Sequence, residues 1–155
     1  MLMLYVPRCA DLWFKQQLLS DPATMSYNHA YGGIIDFPEE KWAPWYKKWI
    51  LCPESKRFYR YLADEFGTFI GEVAYHFDET DKRYLADVIV HSKYRGKGYG
   101  KIGLELLLTA AKANGLTQLC DEIAIDNPAI KLFLNCGFEE EYRTDKIVML
   151  KKQVL

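Results

Sequence analysis

The residues best able to do chemistry stand in one glycine-rich basic stretch, Arg95-Gly96-Lys97-Gly98-Tyr99-Gly100-Lys101. The apolar run Val88-Ile89-Val90 precedes it, and a helical pattern follows it. Glycines at alternate positions let successive backbone N–H groups turn to one side, which forms a concave anion site beside a helix N-terminus. The stretch therefore predicts a strand, a phosphate-binding loop and a helix, and a small ligand that carries several phosphates.

Two familiar phosphate loops match this stretch poorly. A P-loop needs G-x-x-x-x-G-K-[ST], but Arg95 stands in place of its first glycine and Ile102 in place of its hydroxyl residue. The dinucleotide fingerprint G-x-G-x-x-G is matched from Gly98 to Gly103, yet seven residues separate it from Val90, where the Rossmann turn is tight. The P-loop is excluded, and a NAD-binding oxidoreductase stays as a remote alternative.

A third loop fits more of the residues. Arg95 to Gly100 resembles the (Arg/Gln)-x-x-Gly-x-(Gly/Ala) loop of the GNAT superfamily of acyl-CoA-dependent N-acetyltransferases. Val90-His91-Ser92 resembles the family's preceding Val-x-Pro segment, with serine in place of proline. Asn127 to Phe138 resembles its second block, in which an asparagine opens a helix that closes in a Gly-Phe pair. The resemblance covers the chain from Thr68 to Lys151.

The pattern of the whole chain predicts a single domain, residues 1–155, with the order β-α-α-β-β-β-α-β-α-β-β. The resemblance implies an α/β (α+β) fold of this order. Its central sheet is mixed and mostly antiparallel, is flanked by helices, and has a parallel pair of strands splayed around the acetyl-CoA site. The helix after the loop is predicted to pack through Ile102, Leu106, Ala110 and Ala113.

Composition narrows the class of protein. A chain of 155 residues that is 50% hydrophobic suits one buried core. A net charge of −1 argues against a nucleic-acid surface, which needs a basic face. The four cysteines show no zinc-site spacing and are expected to be free thiols in a reducing cytoplasm, without a bound metal. No signal peptide or membrane span is predicted, which favours a cytoplasmic protein without membrane contact.

The resemblance implies that acetyl-CoA is the cofactor and that its pyrophosphate lies on the glycine loop. The pantetheine would pair with the strand that ends at Val90, whose N–H would hold the thioester carbonyl. Phe133 stands where many relatives have a tyrosine that protonates the leaving thiolate, which keeps open an acyl-CoA-binding sensor without turnover. The predicted cofactor residues are Ile89, Val90, Arg95, Gly96, Lys97, Gly98, Tyr99, Gly100, Lys101, Asn127 and Phe133.

An amine acceptor must lose a proton before it attacks a thioester, because a primary amine with a pKa of about 10.4 is protonated at neutral pH. The resemblance makes Glu122 the first candidate for the base, because it stands five residues before Asn127, where some family members carry a catalytic glutamate. Strand alternation also turns it away from the apolar face. Glu72 is the second, and Asp87 and His76 are less favoured. His91 is predicted to be exposed.

In the family, the region between the first two helices and the final hairpin commonly forms the acceptor site. The predicted substrate residues are therefore Tyr27, Tyr31 and Trp45. Aromatic faces near carboxylates suit a cationic small-molecule amine, or a peptide N-terminus as the alternative. The aromatic stripe that contains Trp45 either packs on the sheet or forms a substrate wall. The resemblance also allows a homodimer.

Overall fold

Seven strands form one sheet with α-helices on both of its faces. The computed structural model describes residues 1–155, apart from the side chains of Ala30 and Tyr31. The strands are β1 (Met3–Tyr5), β2 (Arg57–Ala63), β3 (Phe69–Asp78), β4 (Arg83–Val90), β5 (Gln118–Ala124), β6 (Glu139–Arg143) and β7 (Ile147–Gln153). The α-helices are α1 (Leu12–Ser20), α2 (Trp42–Tyr46), α3 (Tyr99–Ala113) and α4 (Ala129–Asn135).

The sheet order is β1-β2-β3-β4-β5-β7-β6, and every neighbouring pair is antiparallel except β4 and β5. The predicted fold class and element order are confirmed. Side-chain alternation along β3 sends Val73 to the core under α3 and α4, and Ala74 to the core under α1. Each face of the sheet is therefore covered by its own helices.

The aromatic segment after Pro38 is helical but not uniform. A 3₁₀ turn (Glu39–Lys41) leads into α2, and a π-helical turn (Lys47–Leu51) continues it. Another 3₁₀ turn (Ser26–Tyr31) lies between α1 and this segment. Trp45 and Trp49 from the α2 segment pack against the sheet on the α1 side.

The predicted packing face of α3 is wrong. The residues that α3 buries are Gly103, Leu104, Leu107 and Ala111, whereas Ile102 is 39% exposed. A Cβ at Gly103 would lie 2.7 Å from a methyl carbon of Leu62, so the glycine permits a close approach of helix to sheet. This contact sets the rotation of α3 about its axis. The spacing of apolar residues along the helix does not reveal that rotation.

The parallel pair of strands separates almost at once. Across the described chain, β4 and β5 share a single ladder position, Leu85 opposite Cys120. Beyond it β4 continues along β3 to Val90, and β5 continues along β7 to Ala124. A notch therefore opens between the ends of the two strands, as the family resemblance implied.

We expect Gly71→Ala to lower the free energy of unfolding by about 1–3 kcal/mol, because the added Cβ has no room beside β4. A Cβ at Gly71 would lie 2.2 Å from the Ile89 carbonyl oxygen and 3.0 Å from the Val90 Cα. Gly100→Ala is the matched control, since its Cβ would meet a flexible Leu132 methyl at 3.2 Å. Denaturant unfolding of both variants measures the difference, and equal stability would contradict the close approach.

Candidate active site

Two cavities meet at the notch. The first, called here the loop cavity, has a volume of about 500 Å³ and lies between the ends of β4 and β5 and the glycine loop. The second, the aromatic cavity, has a volume of about 320 Å³ and lies between Trp45, Trp49 and Tyr59 and the sheet residues Ala74 and Leu85. Both volumes suit small ligands, or parts of larger ones.

The glycine loop has the geometry of an anion cradle. Gly98 precedes α3 with φ +82°, and a Cβ there would meet no described atom within 4 Å. The first helical hydrogen bond joins the Ile102 N–H to the Gly98 carbonyl (3.3 Å), so the N–H groups before it lie free at the positive end of a 15-residue helix. The residues of the predicted loop that line the loop cavity are Arg95, Gly96, Gly98, Tyr99 and Gly100. Lys97 and Lys101 are exposed beside it.

The Arg95 guanidinium fastens the loop to the residues just before the 3₁₀ turn Ser26–Tyr31. It donates to the carbonyls of Val90 (3.2 Å), Ala23 (3.2 Å) and Thr24 (2.6 Å). It also lies 5.3 Å from the ring centre of Tyr27. Arg95 thus shapes the wall of the loop cavity through main-chain contacts, and the free N–H groups of the loop remain for an anion.

Ser92 makes bonds that the family's proline could not make. Its N–H donates to Thr24 Oγ1 (3.0 Å), and its hydroxyl donates to Asp21 Oδ2 (2.9 Å). His91 beside it is 8% exposed, so its predicted exposure is wrong. Its Nδ1 accepts the Lys93 N–H (3.2 Å), and Nε2 lies 3.7 Å from Asp21. These contacts tie the end of β4 to residues 21–24.

The main-chain groups at the end of β4 alternate in direction. The His91 N–H donates to the Ile70 carbonyl on β3 (2.9 Å). In an antiparallel ladder, the residues beside a hydrogen-bonded pair turn their N–H and C=O groups to the opposite side. Val88 and Val90 therefore point theirs into the notch, where no strand pairs with them in the described chain. Because Arg95 occupies the Val90 carbonyl, the Val90 N–H is the donor left there.

The opposite wall of the loop cavity comes from β5 and α4. Asn127 uses its Oδ1 to accept the Ala129 N–H (2.9 Å) at the start of α4. Phe133 is 2% exposed and packs edge-on against Phe138, with ring centres 4.9 Å apart. Asn127 and Phe133 both line the loop cavity, as does Ile89 on β4. The predicted cofactor residues, except the two exposed lysines, thus surround one space.

Three carboxylates line both cavities: Asp87, Asp121 and Glu122. Asp87 is an exposed residue that lines both cavities, yet desolvation by the protein packed around its carboxyl group raises its pKa to about 6, helped by the charge of Glu72. Burial also raises the pKa of Asp121 well above its usual range, with Asp87 adding to the effect. Carboxylates of raised pKa at the junction of two cavities are suited to proton transfer near neutral pH.

Glu72 lies in the aromatic cavity but is already bonded. Lys15 Nζ lies 3.2 Å from its Oε1, and the Tyr59 hydroxyl donates to the same oxygen at 2.9 Å. Both charged side chains of this pair are almost fully buried. Burial, followed by the charge of Glu72, raises the pKa of Tyr59 well above its usual value. Glu72 is thus held by two neighbours, whereas Glu122 is exposed at the junction.

The predicted substrate residues lie in different places. Trp45 lines the aromatic cavity, whereas Tyr27 lines the loop cavity. The side chain of Tyr31 lies outside the described part of the structure. The sequence did not single out Lys15 or Asp121. Nothing local marks Lys15, because its partner Glu72 is 57 residues away.

The model of the acetyltransferase (GNAT) family matches residues 18–138. The chain belongs to this family. It is accordingly an acetyl-CoA-dependent acetyltransferase, and the anion cradle and the free edge of β4 fit acetyl-CoA. The parallel sheet that a Rossmann oxidoreductase needs is replaced by a mostly antiparallel one, and Gly103 of the apparent fingerprint packs against Leu62.

Solved structures of similar fold are N-acetyltransferases. One from Staphylococcus aureus Mu50 has a TM-score of 0.78 at 17% identity, with 100% of this chain and 99% of that chain covered. Spermidine N-acetyltransferase from Vibrio cholerae, in complex with CoA and spermine, has a TM-score of 0.78 at 20% identity (98% and 95% covered). Phosphinothricin acetyltransferase from Sinorhizobium meliloti, in complex with AcCoA, has a TM-score of 0.77 at 20% identity (98% and 88% covered).

A comparison with curated protein sequences finds no match. Among the residues that the structure describes, no helix combines the length and apolar character needed to cross a membrane.

We expect Lys15→Met to lower the free energy of unfolding by about 3–5 kcal/mol, because it leaves the buried Glu72 carboxylate without its cation. The double variant Lys15→Met/Glu72→Gln should recover most of this loss, since it removes both charges together. Urea unfolding of the wild type, the single variant and the double variant measures this coupling. Equal losses in the single and double variants would show that the ion pair is not what Lys15 contributes.

Proposed function

We propose that this GNAT acetyltransferase moves the acetyl group of acetyl-CoA to a primary amine of a small molecule, with both bound at the same time. The observation that supports this most is the pair of cavities that share Asp87, Asp121 and Glu122. One cavity has a phosphate cradle and a free strand edge, and the other has aromatic walls and carboxylates. A direct transfer needs such a junction, because the amine must reach the thioester without leaving the protein.

The loop cavity holds the cofactor in this proposal. The N–H groups at the start of α3 bind the pyrophosphate, and Lys97 and Lys101 add positive charge beside it. The edge of β4 pairs with the pantetheine arm, and Phe133 forms an apolar floor. Acetyl-CoA supplies an acetyl group activated as a thioester. The Val90 N–H is the donor that would hold the thioester carbonyl.

The amine loses its proton to a carboxylate at the junction. We propose Asp87 for this step, because its pKa of about 6 leaves it ionised at neutral pH, yet basic enough to accept a proton. Glu122, the first candidate from the sequence, stays a prediction and lines the same junction. Glu72 is the less suited of the two predicted bases, because it already pairs with Lys15. With Phe133 unable to give a proton, water protonates the departing thiolate.

We expect Gly98→Ala to weaken acetyl-CoA binding at least about tenfold, because a left-handed φ is strained for alanine and the cradle N–H groups would turn away. Gly67→Ala is the matched control: Gly67 has φ +79°, also with open space, in the β2–β3 hairpin. Calorimetric titration with acetyl-CoA, beside NAD, measures the effect. An unchanged acetyl-CoA affinity in Gly98→Ala would contradict the assignment of the loop as the phosphate site. Binding of NAD without binding of acetyl-CoA would contradict the proposed function.

We expect the wild-type kcat to fall as the pH drops through about 6, because Asp87 must be ionised to accept the proton. Asp87→Asn should lower kcat by about 10²–10⁴-fold and remove this fall in kcat at acidic pH, the acidic limb of the pH profile. Release of the free CoA thiol with a primary amine, at saturating acetyl-CoA, measures both. Acetyl-CoA affinity should not change.

Glu122→Gln is the matched comparison, because Glu122 lines the same junction. If Glu122→Gln abolishes the limb and Asp87→Asn retains it, Glu122 is the base and the assignment to Asp87 is wrong. Acetyl-CoA binding without thiol release from any amine would favour the alternative of a binding module.

A further inference from the structure

One wall of the aromatic cavity is formed by the rings of Trp45, Trp49 and Tyr59. Trp45 and Trp49 stack on each other with ring centres 5.9 Å apart and an angle of 15° between their planes. Both meet Tyr59 edge-on, at 4.7 Å and 6.3 Å. The sheet below contributes the small side chain of Ala74, which leaves space between the rings and β4. Such a space favours a flat or apolar body.

The charges in this cavity are arranged unevenly. Lys15 and Glu72 neutralise each other at one side. Burial lowers the pKa of His76, so this ring is neutral at pH 7. Among the residues that the structure describes, Asp87 and Glu122 at the junction form no ion pair with a basic side chain. The unneutralised negative charge is therefore confined to the end that adjoins the loop cavity.

We infer that the acceptor is a primary amine with a single positive charge and a flat aromatic body. This inference rests on the proposed function and names its substrate class. The ammonium group lies beside Asp87 and Glu122, where it is both bound and deprotonated. The body lies against Trp45 and Trp49, away from the cofactor.

The same arrangement disfavours two other kinds of amine. A second ammonium group in the aromatic cavity would be repelled by Lys15, and the Glu72 carboxylate could not neutralise it because Glu72 is already bonded to Lys15 and Tyr59. A carboxylate next to the amine would face Asp87 across the junction. Like charges brought together in the cavity repel each other. Diamines and amino acids should therefore be poor acceptors.

Two matched pairs of amines test the expectation that diamines and amino acids are poor acceptors. Phenethylamine and phenylalanine differ by one carboxylate, and hexylamine and hexane-1,6-diamine differ by one ammonium group. We expect kcat/KM, measured by thiol release, to be at least about tenfold higher for the first member of each pair. Phenethylamine should also exceed hexylamine, because its ring matches the aromatic walls.

A pair of tryptophan variants tests where the body lies. We expect Trp49→Leu to raise both the KM and the calorimetric Kd for phenethylamine about threefold to tenfold, with acetyl-CoA affinity unchanged. Trp13→Leu is the matched control, because Trp13 is 50% exposed on α1 and does not line the aromatic cavity. Equal effects of the two variants would contradict the assigned position of the ring.

The outcomes separate this inference from the function on which it rests. Faster turnover of hexane-1,6-diamine or phenylalanine than of its partner would overturn the substrate class and leave the acetyltransferase function intact. Acetyl-CoA binding without turnover of phenethylamine would also overturn it. Absence of acetyl-CoA binding would overturn the proposed function itself.

Discussion

The divergence of β4 from β5 is the constraint on which the site depends. Each strand keeps its outer neighbour, β3 or β7, and the two share one ladder position at Leu85 and Cys120. The open edge of β4 presents unpaired main-chain groups to the loop cavity, so an extended ligand can pair with it as a further strand would. Arg95 already takes the Val90 carbonyl, which leaves the edge selective for a ligand carbonyl at the Val90 N–H.

The divergence also explains why acid groups gather at this point. Residues on two adjoining strands normally pack against each other, but here Asp87 and Glu122 line a gap that both cavities reach. The surrounding protein raises the pKa of Asp87, and Glu72 raises it further, whereas the charge of Lys15 lowers it. The buried pair of Lys15 and Glu72 therefore affects the junction through its charges without lying in it.

The sequence predicts those features that depend on neighbours along the chain. The element order and the loop from Arg95 to Lys101 follow from local periods and from glycine spacing, and the family match confirms the class. Features that depend on contacts between distant residues were either not predicted or predicted wrongly. The burial of His91 depends on docking near Asp21, and the rotation of α3 depends on a glycine that meets the sheet. The partner of Glu72 comes from α1, where no pattern marks Lys15.

Lys15 shows what the aromatic walls already do with a positive charge. Its ammonium group lies 4.7 Å from the ring centre of Tyr59 and 4.9 Å from that of Trp45. The rings and Glu72 together stabilise this cation in a buried position. Lys15 and Glu72 thus neutralise each other, whereas the Asp87 and Glu122 carboxylates form no ion pair with the described residues. In the proposed reaction, this fixed lysine favours Asp87 and Glu122 as the place for a substrate ammonium and disfavours a second ammonium in the cavity.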